Sequence, residues 1–196
     1  MANPVVRGFQ SLTRFSGRDR RGQFWPYAGV VFALMFVLCG AVIAWSMNGI
    51  FADMQQFAAE HPEAATVHSS PGHYSIQVDG SHPEAPIPDL RIFFTTMGVM
   101  VVGIIALLAA AVSRRLHDSG RSALWGLMPV PFVLFAVTGF PIVMTQVMAA
   151  EEPNLGLFFL LVLNNMLYLI ALVSLIVLLA LSGTRGPNRF GPETTG

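Results

Sequence analysis

Four long stretches without a single Asp, Glu, Lys, Arg or His constrain this chain more than any other feature: about Phe24 to Met47, Ile92 to Val112, Leu124 to Val147 and Leu157 to Leu181. Backbone N–H and C=O groups find no water inside a bilayer, so a segment crossing it must satisfy them internally, and about 20 helical residues span the roughly 30 Å hydrocarbon core. Each stretch has that length. A helix of a soluble domain would present a charged stripe to water, and these are uncharged on every face. An aspartate or arginine at the centre of a span costs about 2.5–3.5 kcal/mol, which accounts for the exclusion. Trp25, Tyr27 and Trp125 stand near span ends, where amphipathic rings suit the interface. With 54% hydrophobic and 11% charged residues, against about a quarter charged in soluble domains, the expected architecture is an all-α integral membrane protein. One membrane domain would hold four transmembrane helices, with residues 1–23, 113–123 and 182–196 on one side and the longer loop 48–90 on the other.

The basic residues orient it. The chain has 11 arginines and no lysine. Arg7, Arg14, Arg18, Arg20 and Arg21 precede the first span, Arg114, Arg115 and Arg121 lie between the second and third, and Arg185 and Arg189 follow the fourth. Arg91 alone sits elsewhere. Four crossings bring all three groups to one side, which by the positive-inside rule is the cytoplasm, so both termini are expected inside a bacterial plasma membrane. The opposite loop carries Asp53, Glu60, Glu63, Asp79, Glu84 and Asp89 with no basic residue, and the second outward loop carries Glu151 and Glu152. Formal net charge is zero, which argues against a globally basic, nucleic-acid-binding protein. The first span is read as retained rather than as a cleaved signal peptide, because its apolar part is too long and no small-residue cleavage site follows closely.

Inside the spans, Cys39 is the only cysteine, leaving no disulfide framework and no cysteine-based zinc site. Pro129, Pro131 and Pro141 are expected to bend or partly break the third helix, freeing the carbonyls of Trp125, Leu127 and Val137. Asn164 and Asn165 form the most polar pair in any span and are expected to bond to another helix. Ala106 with Ala110, and Ala109 with Ser113, provide the small-residue spacing that permits close helix approach.

The loop 48–90 reads as a short helix near Phe51 to Ala59, then a strand through Tyr74, Ile76 and Val78 and a turn at Asp79-Gly80. Prolines 83, 86 and 88 deny that strand a return partner. His61, His68, His73 and His82 lie here, but their spacing matches no known ligand pattern. A solvated polar loop without metal or cofactor is the expectation.

The arginine-bearing segments also carry glycine and small polar residues: Phe15-Ser-Gly-Arg-Asp-Arg-Arg-Gly-Gln-Phe-Trp25, Ser113-Arg-Arg-Leu-His-Asp-Ser-Gly-Arg-Ser122 and Gly183-Thr-Arg-Gly-Pro-Asn-Arg-Phe-Gly-Pro192. At these residues the chain resembles the bacterial domain-of-unknown-function family 805, small inner-membrane proteins of the YhaH type. The resemblance rests on Phe15, Gly17, Arg18, Arg21, Phe24 and Trp25. It continues through Arg114-Arg115-Leu116-His117-Asp118 with Gly120, Arg121, Ser122 and Trp125, and closes on Gly186, Asn188, Arg189, Phe190, Gly191 and Pro192. It departs at Ala123, where the family usually has glycine, and in the longer loop 48–90. The family implies a multi-span inner-membrane protein and no established reaction, cofactor or catalytic residue.

The residues themselves suggest a non-enzymatic protein in which Arg18, Arg21, Arg114, Arg115, Arg121 and Arg189 converge on an anionic lipid head group or acidic partner. His117, Asp118 and Asn188 would then be structural or site-lining. A small transporter or channel subunit, from the prolines and Asn164-Asn165, is an alternative that the lack of intramembrane ionisable groups disfavours. A membrane enzyme using His117 and Asp118 is another, with adjacency as its only support. A homo-oligomer or another membrane protein remains open as a partner.

Overall fold

A computed structural model describes residues 3–86, 90–148 and 154–192. Pro88, Asp89, Glu151 and Glu152 lie outside the described residues. Among the described residues, four helices are long and apolar enough to cross a membrane: Arg21–Glu60, Ile92–Asp118, Ala123–Val147 and Leu155–Ala180. At most 17% of any of their most apolar windows is buried within the protein. Phe36 and Phe159, at 82% and 66% exposure, make sense only against an apolar surrounding medium.

Helix α1, Pro4–Gln10, begins where the Asn3 side chain accepts from the Val5 N–H at 2.9 Å, with Pro4 supplying the preset first-turn backbone. It docks on α2, Arg21–Glu60. A Cβ on Gly8 would fall 2.2 Å from the Tyr27 ring, so only glycine allows this approach. Tyr27 also meets Phe9 edge-on at 5.2 Å and donates its hydroxyl to Leu107 O at 2.7 Å, which ties α2 to α3, Arg91–Asp118. The core lies between these helices and α5, Leu155–Ala180, and includes Phe24, Tyr27, Ala28, Val31, Ala111, Leu116 and Leu175. Ala110 is fully enclosed, in keeping with close approach along its face of α3.

Three features depart from expectation. Helix α2 runs through 40 residues, about 60 Å at 1.5 Å per residue and twice the hydrocarbon thickness. Instead of ending near Met47 and resuming as a separate segment, it continues to Glu60, because Phe51 to Ala59 contains mostly good helix formers and no proline. The loop also contains a two-stranded sheet, so the protein is predominantly helical and not all-α. Strand β2, His73–Val78, pairs antiparallel with β1, Ala65–Ser70, in register Ser70↔His73 to Ala65↔Val78. The partner strand lies upstream, joined through a turn at Pro71-Gly72 with Gly72 at φ 80°, while the turn expected at Asp79-Gly80 follows β2, closed by His82 N–H donating to Asp79 O at 3.1 Å.

The third span is interrupted as anticipated, but near its beginning. A short 3-10 helix, Ala123–Leu127, precedes α4, Val130–Met148; Pro129 and Pro131 occupy that junction and Pro141 lies inside α4. Of the asparagine pair, Asn164 is buried and donates to Phe132 O at 2.9 Å, joining α5 to α4. Asn165 is exposed on the other face.

Candidate functional site

At one end of the bundle, the loop before α2, the end of α3 and the tail after α5 lock together through buried charge. Arg18, Asp19, Arg114, Arg115 and Asp118 are each no more than 5% exposed. An uncompensated charge in such surroundings would cost several kcal/mol, so the question is where each guanidinium donor goes. Arg114 donates from Nε to Asp19 Oδ2 at 2.6 Å, from Nη1 to Ser11 O at 2.8 Å, and also to Arg14 O. Arg115 donates to an Asp118 carboxylate oxygen and, from Nε, to Leu179 O at 2.8 Å. With a further bond to Leu181 O, it caps the final carbonyls of α5. A cation at a helix C-terminus also meets the negative end of the helix dipole.

Arg18 completes the arrangement. Its Nε donates to Asp118 Oδ1 at 3.1 Å, Nη1 to Gly186 O at 2.8 Å, and Nη2 to Thr184 O at 2.7 Å. Thus one planar fork joins the segment before α2 to the tail, with Asp118 between Arg18 and Arg115. Main-chain bonds reinforce this: Asp19 N–H donates to Arg114 O at 3.1 Å and Thr184 N–H to Asp118 O at 2.9 Å. Gly183 lies so close that a Cβ there would be 2.2 Å from Asp118 Oδ2. No buried side-chain N or O lacks a partner among the described residues.

His117 and Asp118 point to different partners. Asp118 serves the two arginines, whereas His117 Nδ1 lies 3.3 Å from Gly17 O and its ring stacks on Phe190 at 3.9 Å. A carbonyl only accepts, which places the proton of neutral His117 on Nδ1. Asn188 spans the same corner, donating to His117 O at 3.0 Å and Thr184 Oγ1 at 2.8 Å, while its Oδ1 accepts from Phe190 N–H at 2.9 Å. Arg189 lies over the Phe190 ring at 4.6 Å. Arg121 reaches Ser119 O only at 3.5 Å, so Asp118 pairs with Arg18 and Arg115 and not with Arg121.

The six arginines singled out from sequence therefore divide. Arg18, Arg114 and Arg115 are internal struts; Arg21 and Arg189 are exposed, and Arg121 is half-buried. Beside the struts an open recess of about 280 Å³ is lined by Arg18, Arg20, Arg21, Gly22, Asp118, Ser182, Gly183, Thr184 and Arg185. Sequence reasoning overlooked Asp19, Thr184 and Arg185. Asp19 carried a signal, as the one acidic residue in the arginine-rich stretch 1–23.

A chain with these spans and a fused polar end is a multi-pass membrane protein. More specifically, it belongs to the family described as "Protein of unknown function (DUF805)", whose model matches residues 12–192. That match takes in all five charged residues of the lock and stops short of α1. No curated protein and no solved structure matches the chain.

Proposed function

We propose that the protein is a non-enzymatic component of the bacterial inner membrane, with both termini cytoplasmic, whose arginine-rich end binds the phosphate of an anionic lipid head group. The observation carrying this reading is the recess beside the buried lock. Arg21 and Arg185 face it from two different segments, and Gly22 and Gly183 expose main chain there. Guanidinium forks match phosphate oxygens, and each basic residue near an anionic leaflet contributes about 1 kcal/mol of attraction. The buried arginines act indirectly, holding the start of α2 against the tail so that Arg21 and Arg185 share a site. This reassigns Arg18, Arg114 and Arg115 from ligands to supports, and leaves Arg121 and Arg189 as peripheral charge.

The transporter reading has less behind it. A recess of about 680 Å³ between α3 and α4 is lined by Phe94, Val99, Val102, Leu134 and Val137 with a few threonines, a lining that suits acyl chains better than ions. For catalysis, His117 and Asp118 would have to act together, and each is committed to a separate structural contact.

The test is binding of purified protein in nanodiscs containing phosphatidylglycerol against nanodiscs of phosphatidylcholine, with bound lipid read by native mass spectrometry. Retention of phosphatidylglycerol should exceed that of phosphatidylcholine and fall in Arg21→Gln/Arg185→Gln. Equal retention of both lipids, unchanged by that double substitution, would overturn the proposal.

A further inference from the structure

The opposite end of the molecule gathers chemistry of another kind. His61 caps the C-terminus of α2, and His82 lies in the turn that follows β2. Three contacts bring these distant positions together. Asp79 N–H donates to Ala64 O at 2.8 Å, and the rings of His61 and His82 approach Phe57 at 4.9 and 5.4 Å. The turn itself is fixed by Asp79, whose Oδ1 accepts from the Ser81 hydroxyl at 2.6 Å and its N–H at 2.9 Å. These bonds hold the Asp79 carboxyl below its ordinary pKa. The two imidazoles end 4.7 Å apart, and one donor atom each from His61, Glu63 and His82 lies within 4.8 Å of the others.

The arrangement around His61 is that of a ligand. Its Nε2 lies 3.0 Å from Glu84 Oε2, and its Nδ1 lies 3.5 Å from Glu63 Oε1. With Nε2–H donating to Glu84, the Nδ1 lone pair of a neutral ring faces the lone pairs of Glu63. Two acceptors face each other there, an arrangement that a cation or an extra proton between them relieves. A carboxylate on the far nitrogen of an imidazole is also the usual outer support of a metal-binding histidine, fixing its tautomer and raising its basicity. Bonds of about 2.0–2.2 Å in a tetrahedral site place neighbouring donor atoms about 3.4 Å apart, close to the His61–Glu63 spacing. The His82 ring, 4.7 Å away, is a further donor that a cation can use and a proton between His61 and Glu63 cannot.

We propose that His61, Glu63 and His82 form a binding site for a divalent cation of the zinc class, supported by Glu84. Imidazole and carboxylate donors suit zinc, nickel or copper and disfavour magnesium, which takes oxygen ligands and retains its water. His82 is held beside the site by its Nδ1, which accepts from Glu84 N–H at 3.2 Å. Glu63 and Glu84 are 67% and 71% exposed, so the cation enters from solvent and keeps a position for water. Bound there, it joins the end of α2 to the segment after the hairpin. The site is separate from the arginine recess and does not depend on the lipid proposal.

The experiment uses full-length protein without a histidine tag, stripped with chelator in detergent and titrated with zinc sulfate against a competing chromophoric chelator. Expected is one zinc per chain at micromolar or tighter affinity, with no competition from magnesium. His61→Gln and His82→Gln should each weaken binding at least tenfold, and Glu84→Gln by about 10–100-fold, as loss of an outer partner does. Glu63→Gln alters an exposed side chain and reports on coordination without threatening the fold. His68→Gln/His73→Gln, on exposed hairpin positions, should leave binding intact. Absence of saturable zinc binding, or an affinity unaffected by His61→Gln, His82→Gln and Glu63→Gln, overturns the proposal. So does an equal loss in the His68/His73 variant.

Discussion

The two ends of this molecule use charged side chains in opposite ways. At the arginine end, five ionic groups are withdrawn from water, and three chain segments separated by up to 173 residues are joined through them. At the hairpin end, His61 is partly buried while Glu63 and Glu84 stay exposed to solvent. Burial makes the first set costly to disturb, because removing one member strands another in a medium that does not solvate it. Exposure makes the second set cheap to change and open to a ligand. One end is built for rigidity, the other for exchange.

The sharpest way to break this contrast is Asp118→Ala. The change leaves Arg18 and Arg115, at 4% and 0% exposure, without their shared carboxylate, and loss of one partner from a buried pair costs about 3–5 kcal/mol. Thermal unfolding in detergent, followed by circular dichroism, should show a large drop in the midpoint. A wild-type midpoint would mean that water reaches these groups and that the lock is not a low-dielectric site. Asp118→Asn preserves the shape while removing the charge, so it should recover only part of the loss.

Gly183→Ala probes the same end without touching charge. Its added methyl would have to displace Asp118, and overpacking of this kind costs about 1–3 kcal/mol. The same unfolding assay measures it. A neutral result would show that the tail can move away from α3, and would weaken the link between the lock and the recess.

Sequence revealed the two ends unequally, for physical reasons. The spans were legible because exclusion of charge over about 20 residues has one ready explanation in a bilayer. Arginine at the edge of a span has two, since the same side chain can anchor to head groups from outside or cap carbonyls from within. The position of Asp118 relative to Arg18 and of Asp19 relative to Arg114 decides between them, and those contacts cross about 100 residues of sequence, whereas Arg115 and Asp118 are only three residues apart on α3. The hairpin was half legible. Tyr74, Ile76 and Val78 alternate clearly, whereas Ala65–Ser70 contains one strongly apolar residue, Val67, and is paired only because Pro71-Gly72 folds it back. The histidine cluster was hidden for the same reason: 61 and 82 are far apart until that hairpin closes.

Asn164→Ala measures a bond outside both ends. It would remove the side-chain tie between α5 and Phe132 O in the membrane, where such bonds contribute about 0.6 kcal/mol and at most about 1.7. Unfolding in detergent should register a small loss, well below that of Asp118→Ala. A loss as large as that of Asp118→Ala would place a main determinant of stability in the span and not in the lock.

The smallest effect is expected from His61→Gln in metal-free protein. His61 contacts Phe57, His82, Glu63 and Glu84, all within the hairpin end, and none of these groups touches the helical core around Tyr27 and Leu116. Its removal should therefore change the unfolding midpoint of the bundle by no more than a surface substitution does, within about 0.5 kcal/mol. Hydrogen exchange would separate local from global consequences: faster exchange at Phe57 to Ala65 with unchanged protection in α3 and α5 fits two energetically independent ends. If protection falls in α3 as well, the long α2 helix transmits the disturbance through the membrane, and the two ends must be treated as one coupled unit.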